Sequence, residues 1–232
     1  MKGDGYYDEK LSAAKLRRCY EIAPPRIRRY LGAELDHVLG HVRPGDTVLD
    51  LGCGYGRTLA PLADKAGWVL GIDTSLGSLR VAREGAEPGE GQPAHWALAC
   101  MDAAGLALRD GVFDVAVCIQ NGISAFHVSR SRLMAESLRV IRPGGIALFS
   151  TYSAKFWEDR LEWFELQAAE GLLGEIDRER TGDGTIVCKD GFHAGTVTPP
   201  EFASLASRFD VEFRLVEVDR SSLFCELIRP AA

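Results

Sequence analysis

The chain has 232 residues, 46% of them hydrophobic and 26% charged, the size and balance of one α/β domain with a proper core. A net charge of −6 argues against a nonspecific nucleic-acid binder. No apolar run has the length to span a bilayer, and the polar, acidic residues 1–10 are not a signal peptide.

Six cysteines are present, with no C-x-x-C pair and no clustered Cys/His spacing that suggests zinc. A reducing cytoplasm, no disulfides and no metal are expected. Tyr6-Tyr7-Asp8 opens the chain, and Leu11, Ala14, Leu16 and Ile22 then recur at helical spacing. Pro24-Pro25 breaks that helix and starts a second one, with Ile27, Tyr30, Leu31, Leu35, Val38 and Leu39 as its apolar stripe. Arg17, Arg18, Arg26, Arg28 and Arg29 make this the most basic part of the chain. They form either a solvated helix face or a charged wall toward an anion.

Arg43-Pro44-Gly45-Asp46 is a turn. The run Val48-Leu49-Asp50-Leu51-Gly52-Cys53-Gly54-Tyr55-Gly56-Arg57 follows, and a helix-like segment over 58–65 comes next. That is strand, tight loop, helix. Alternating glycines permit φ > 0 and bring backbone N–H groups against a ligand, with the helix N-terminus adding more. A dinucleotide loop reads G-x-G-x-x-G and holds a pyrophosphate. Here the spacing is G-x-G-x-G, and Asp50 sits two residues before the first glycine. An acid so placed repels a pyrophosphate and suits an ammonium. The run resembles the D-x-G-x-G-x-G first motif of class I S-adenosylmethionine (SAM)-dependent methyltransferases.

The resemblance implies SAM as cofactor and S-adenosylhomocysteine as product. Asp50, Gly52, Cys53, Gly54 and Gly56 then face the methionine end. The second strand, over 68–72, ends at Asp73-Thr74. An acid there accepts from the ribose hydroxyls of an adenosine group or, alternatively, caps the helix over 75–84. The third strand, over 95–100, leads to Met101-Asp102. By resemblance Asp102 accepts the adenine amine and Met101 packs near the ring; the bland reading is an Asp that starts a loop. The N-terminal helices become a cap on the substrate, with Tyr6, Tyr7 and Tyr20 lining it and Arg17 facing an anionic group.

The fourth strand, over 113–119, ends at Gln120-Asn121-Gly122, where ligands of open α/β sheets lie. Gln120 touches the cofactor, and Gln120 or Asn121 orients an amine acceptor; Asn-Gly is equally plain turn chemistry. Phe126 could wall the site, and His127 could take a proton. A helix over 131–141, then Arg142-Pro143-Gly144-Gly145 and a fifth strand over 146–150, form a second point of resemblance. Residues 151–198 read as a helix and small hairpin inserted after that strand, with Tyr152 and Trp157 toward substrate. Thr198 caps a helix, and runs over 211–218 and 222–228 form a closing antiparallel pair.

The expectation is one α/β domain: a Rossmann-like seven-stranded sheet, mostly parallel with the last strand antiparallel, flanked by helices. It divides into a cap (1–43), a SAM-binding core (44–150), a substrate-covering insertion (151–198) and a closing helix and strand pair (199–232). The expected partner is a small soluble metabolite methylated at nitrogen, with a thiol or other soft acceptor as the alternative. RNA or protein as substrate and a non-catalytic SAM binder are the competing readings. Neither membrane nor nucleic acid is expected as a partner, and the chain is read as a monomer or homodimer.

Overall fold

The computed structural model describes residues 14–85 and 95–231. Tyr6, Tyr7 and the glycine- and proline-rich loop expected at 87–93 lie outside the described residues. Two helices come first, α1 (Ala14–Glu21) and α2 (Pro25–His41). α2 starts on a proline, whose fixed φ suits a first turn and whose missing N–H would have no partner there anyway. Its buried stripe is Ile27, Tyr30, Leu31, Glu34 and Val38.

Alternating strands and helices follow: β1 (Thr47–Leu51), α3 (Leu59–Lys65), β2 (Trp68–Asp73), α4 (Leu76–Gly85), β3 (Trp96–Cys100), β4 (Phe113–Cys118), α5 (Gly122–Ala125), α6 (Arg130–Val140) and β5 (Ile141–Tyr152). A 3₁₀ turn (Ala154–Phe156), α7 (Trp157–Ala169) and the small strands β6 (Ile186–Val187) and β7 (His193–Ala194) come next. The chain closes with α8 (Pro199–Ala206), β8 (Glu212–Val218) and β9 (Ser222–Ile228). The sheet order is β3-β2-β1-β4-β5-β9-β8. β1 to β5 are parallel, and β9 runs antiparallel between β5 and β8. The expected seven-stranded sheet with an antiparallel last strand is therefore present. Among the described residues no helix is long and apolar enough to cross a membrane.

Period-two alternation splits the core. Leu49, Ala116, Ala147 and Phe149 face α6 and α8, whereas Val48, Val115, Val117 and Leu148 face α2, α3 and α4. Strands buried on both faces read as continuous apolar runs, which is why β1 and β4 are legible in the sequence. A third cluster, of Ile27, Tyr30, Tyr152, Phe156, Trp163, Phe164, Ile186 and Phe192, joins α1 and α2 to α7 and the β6–β7 hairpin. It lies at the carboxyl end of the sheet, beyond Tyr152 of β5.

The Arg142-Pro143-Gly144-Gly145 segment, expected as a turn ahead of the fifth strand, lies inside β5. Phe113 pairs with Ile141 and Val115 with Ile146, so the segment bulges out of the ladder. A Cβ on Gly145 would stand 2.8 Å from the Asp114 carbonyl oxygen. The turn between β8 and β9 places Asp219 and Arg220 at φ of +52° and +55°, a tight hairpin geometry. Asp219 receives Arg26 at 2.7 Å and Arg29 at 2.5 Å. Arg28 donates to the Ala23 carbonyl at 2.8 Å. These α2 arginines dock onto the closing hairpin and the adjoining turn.

Candidate active site

The sheet's order reverses between β1 and β4, and open α/β sheets bind ligands at the carboxyl ends of such strands. A cavity of about 670 Å³ opens there. Its floor is the glycine loop after β1. Gly52, Gly54 and Gly56 have φ of +75°, +55° and +86°. A Cβ on Gly52 would run into the Phe126 ring, so that position needs glycine for space as well as for its backbone angle.

Asp50 lies beneath the loop, 2% exposed, and accepts the Thr58 hydroxyl at 2.5 Å. Burial pushes its carboxyl up to about 6, while the Thr58 bond and the Arg57 charge pull the other way. Asp73, at the end of β2, accepts from Gly54 N–H at 2.9 Å and Ser75 N–H at 2.8 Å. Asp102 is exposed and accepts from Ala104 N–H at 2.8 Å, and Met101 N–H reaches the Asp73 carbonyl at 3.1 Å. Cys53, Thr74, Met101 and Asp102 all line the cavity with Asp50 and Asp73. The Cys53 thiol is driven far up by burial, so it stays a neutral, inert wall group.

After β4 the backbone takes an uncommon path: Gln120, Asn121 and His127 have φ of +54°, +64° and +52°. Such angles on residues with side chains collect at functional sites. Gln120 faces the cavity. Its amide nitrogen meets the Tyr20 hydroxyl, and its oxygen accepts from Arg57 Nε at 3.1 Å. The Arg57 guanidinium lies 5.6 Å from the Tyr20 ring centroid, a cation–π distance. His127 lines the cavity, with its ring 4.3 Å from that of His193.

Asn121 is placed differently from the sequence expectation. It is 3% exposed and stands outside the cavity lining. Its amide nitrogen donates to the Gly195 carbonyl at 2.9 Å and its oxygen accepts the Thr151 hydroxyl at 2.7 Å. With both ends of the amide engaged, it ties the insertion to β5 from outside the cavity lining. Replacement by alanine is expected to lower stability by about 1–3 kcal/mol, the cost of buried groups left unpaired. Affinity for SAM should stay unchanged, which denaturant melts and calorimetry on the same sample would check.

The cavity roof is aromatic. Tyr20 and Tyr152 line it, joined by Trp163, Phe164 and Phe192. Tyr152 carries the Arg160 guanidinium at 4.3 Å on its ring, and burial pushes its hydroxyl up to about 12. Two expected substrate residues are elsewhere. Arg17 is on the exposed side of α1, paired with Glu21 at 3.0 Å, because helical spacing presents it to its own i+4 neighbour. Trp157 is half-buried in the joining cluster and does not reach the cavity. Arg57, the one arginine lining the cavity among the described residues, had no role assigned from sequence, although it directly follows the third glycine.

Comparison with known proteins agrees with this geometry. Residues 48–145 match the family model described as a methyltransferase domain. The chain is 31% identical over 153 residues to 2-methyl-6-phytyl-1,4-hydroquinone methyltransferase of Synechocystis, covering 58% of this chain and 46% of that one. The chain spans about half the length of the curated relatives it matches. A SAM-dependent methyltransferase from Methanosarcina mazei superposes with a TM-score of 0.61 at 22% identity, covering 90% of this chain and 99% of the other. Magnesium protoporphyrin IX methyltransferase from Synechocystis, with bound SAM, gives a TM-score of 0.61 at 16% identity over 97% and 94%. Residues 48–145 are thus similar in sequence to a methyltransferase domain, and the glycine loop, the acids at three strand ends and the strand order give this chain the fold of SAM-dependent methyltransferases.

Proposed function

We propose that the protein is a SAM-dependent methyltransferase that modifies a small molecule at nitrogen. One observation carries this reading: a single cavity with two unlike halves, acidic below and aromatic above. The lower half fits the cofactor by its donor set. Asp50 suits the methionine ammonium, Asp73 at the end of β2 suits ribose hydroxyls, and Asp102 with Met101 suits adenine. Bound SAM supplies a methyl already activated on a sulfonium. What remains for the protein is to hold the acceptor in line and exclude water, a positional task that contributes roughly 7–11 kcal/mol where geometry is right.

Tyr20, Tyr152, Trp163, Phe164 and Phe192 shape the acceptor's compartment and keep it dry. Gln120 supplies a neutral amide at the end of β4, which suits an amine. His127 favours a second reading, an acceptor that arrives protonated, because it is the titratable nitrogen that reaches the cavity. Enclosure by the aromatic roof weighs against RNA or protein substrates. The test is S-adenosylhomocysteine release over a panel of small amines, phenols and thiols, beside calorimetric SAM binding. Turnover of an amine supports the proposal. Absence of SAM binding, or transfer only to RNA, removes it.

The raised carboxyl of Asp50 gives this reading a pH signature. A carboxyl at about 6 binds its proton more readily in the fold than the ordinary 3.8, so its ionisation costs stability as pH rises through that window. A bound ammonium needs the ionised form. SAM affinity should therefore fall about fivefold from pH 6 to pH 5. Asp50→Asn should weaken binding at pH 7 and flatten the profile.

A further inference from the structure

We propose a divalent transition-metal site, of the zinc type, formed by His37, His41 and Glu226. The two histidines stand one turn apart on α2, so both imidazoles project from one face. Glu226, on β9, meets them there. His37 Nε2 is 2.8 Å and His41 Nε2 is 3.3 Å from the same oxygen, Glu226 Oε1. The three ligand atoms all lie within 4.8 Å of one another. Metal–ligand bonds of about 2.0–2.1 Å at tetrahedral angles put ligand atoms about 3.3 Å apart, so the cluster needs only a small expansion.

The carboxylate is 3% exposed, and among the described residues its ion-pair partners are these two imidazoles. Arg214 sits opposite it in the β8–β9 register but holds Glu212 at 2.7 Å. The Phe224 ring, 4.4 Å from that of His37, closes one side. The histidine side chains, 19% and 29% exposed, leave an outer position for water. Two imidazoles and a carboxylate are the donor set of three-ligand zinc sites. Coordination takes the tautomer with the proton on Nδ1, leaving the Nε2 lone pair inward. The sequence reading did not single out this H-x-x-x-H pair and expected no metal, since the third ligand lies 189 residues beyond His37.

The site is separate from the methyl-transfer cavity. Glu34 of α2 accepts the hydroxyl of Ser150, two residues before the end of β5, at 2.5 Å. His41 lies about 10 Å further down the helix axis. Metal there pins α2 to the last strand.

The test uses the full chain without a histidine tag, stripped by chelator, in a Cys100→Ser background because Cys100 is the exposed thiol. Zinc chloride is titrated by calorimetry, and cobalt is followed by its visible spectrum. One equivalent with a nitrogen/oxygen spectrum is expected. Zinc at a hundredfold excess over Kd should raise Tm by roughly 5–10 °C. His41→Ala and His37→Gln should each weaken binding at least about a hundredfold, with the metal-free Tm as the check on folding. No uptake, a thiolate spectrum, or uptake by either variant as tight as that of the unsubstituted chain overturns the proposal.

Discussion

Asp73→Ala should raise the dissociation constant for SAM between about ten- and a hundredfold, because a charge-assisted hydrogen bond is worth about 1.5–3 kcal/mol. The carboxylate has a double task. It already holds Gly54 N–H at 2.9 Å and Ser75 N–H at 2.8 Å, so it fixes both the glycine loop and the start of α4. Bonds from the ribose hydroxyls are proposed to reach the same oxygens. Alanine removes both sets at once, whereas Asp73→Asn keeps one acceptor oxygen and should fall between alanine and wild type. Circular dichroism establishes that each variant is folded, and calorimetry reads the affinity. Unchanged affinity in folded Asp73→Ala would take this residue out of the cofactor site and leave it as a loop anchor.

What the sequence made legible follows from how local each constraint is. Three glycines with positive φ, fixed between β1 and α3, can be read from a decapeptide because the steric demand is local. The two-sided apolar runs of β1 and β4 are local in the same way. Asn121 was ambiguous because Asn-Gly serves turns and sites alike. Its partners Thr151 and Gly195, 30 and 74 residues away, decide its task, and no spacing rule reaches that far. Arg26 and Arg29 belong to the same class, since the acid they meet is Asp219 at the distant hairpin. The bulge at Gly144-Gly145 was missed for another reason. A helix end, a turn and a bulged strand all use the same Pro-Gly chemistry.

Trp163→Ala should cost about 3–5 kcal/mol of stability, the range for truncating a buried large aromatic residue. That is a large share of the roughly 5–15 kcal/mol that holds a domain together. Trp163 is 4% exposed and packs with Tyr20 at 5.7 Å and Phe164 at 5.9 Å between ring centroids. Its indole N–H donates to the Cys19 carbonyl at 3.0 Å, which fastens α1 across the cavity. Arg18 of α1 also pairs with Glu170 at 3.6 Å, an exposed pair of a kind that contributes little. Losing the tryptophan therefore does more than leave a void. It releases α1 locally, and a segment of eight residues has too little helix propensity to stand alone. Hydrogen exchange over residues 14–21 should accelerate strongly while exchange in β1 and β4 changes less. Turnover should fall further than SAM affinity, because the acid set under the cofactor is untouched while the acceptor compartment opens to water. Trp163→Phe separates the two contributions: it keeps most of the packing and loses the N–H bond, worth about 1 kcal/mol. Slow exchange in α1 of the alanine variant would mean that the helix is held by something other than this indole, and the aromatic roof would then not be what closes the site.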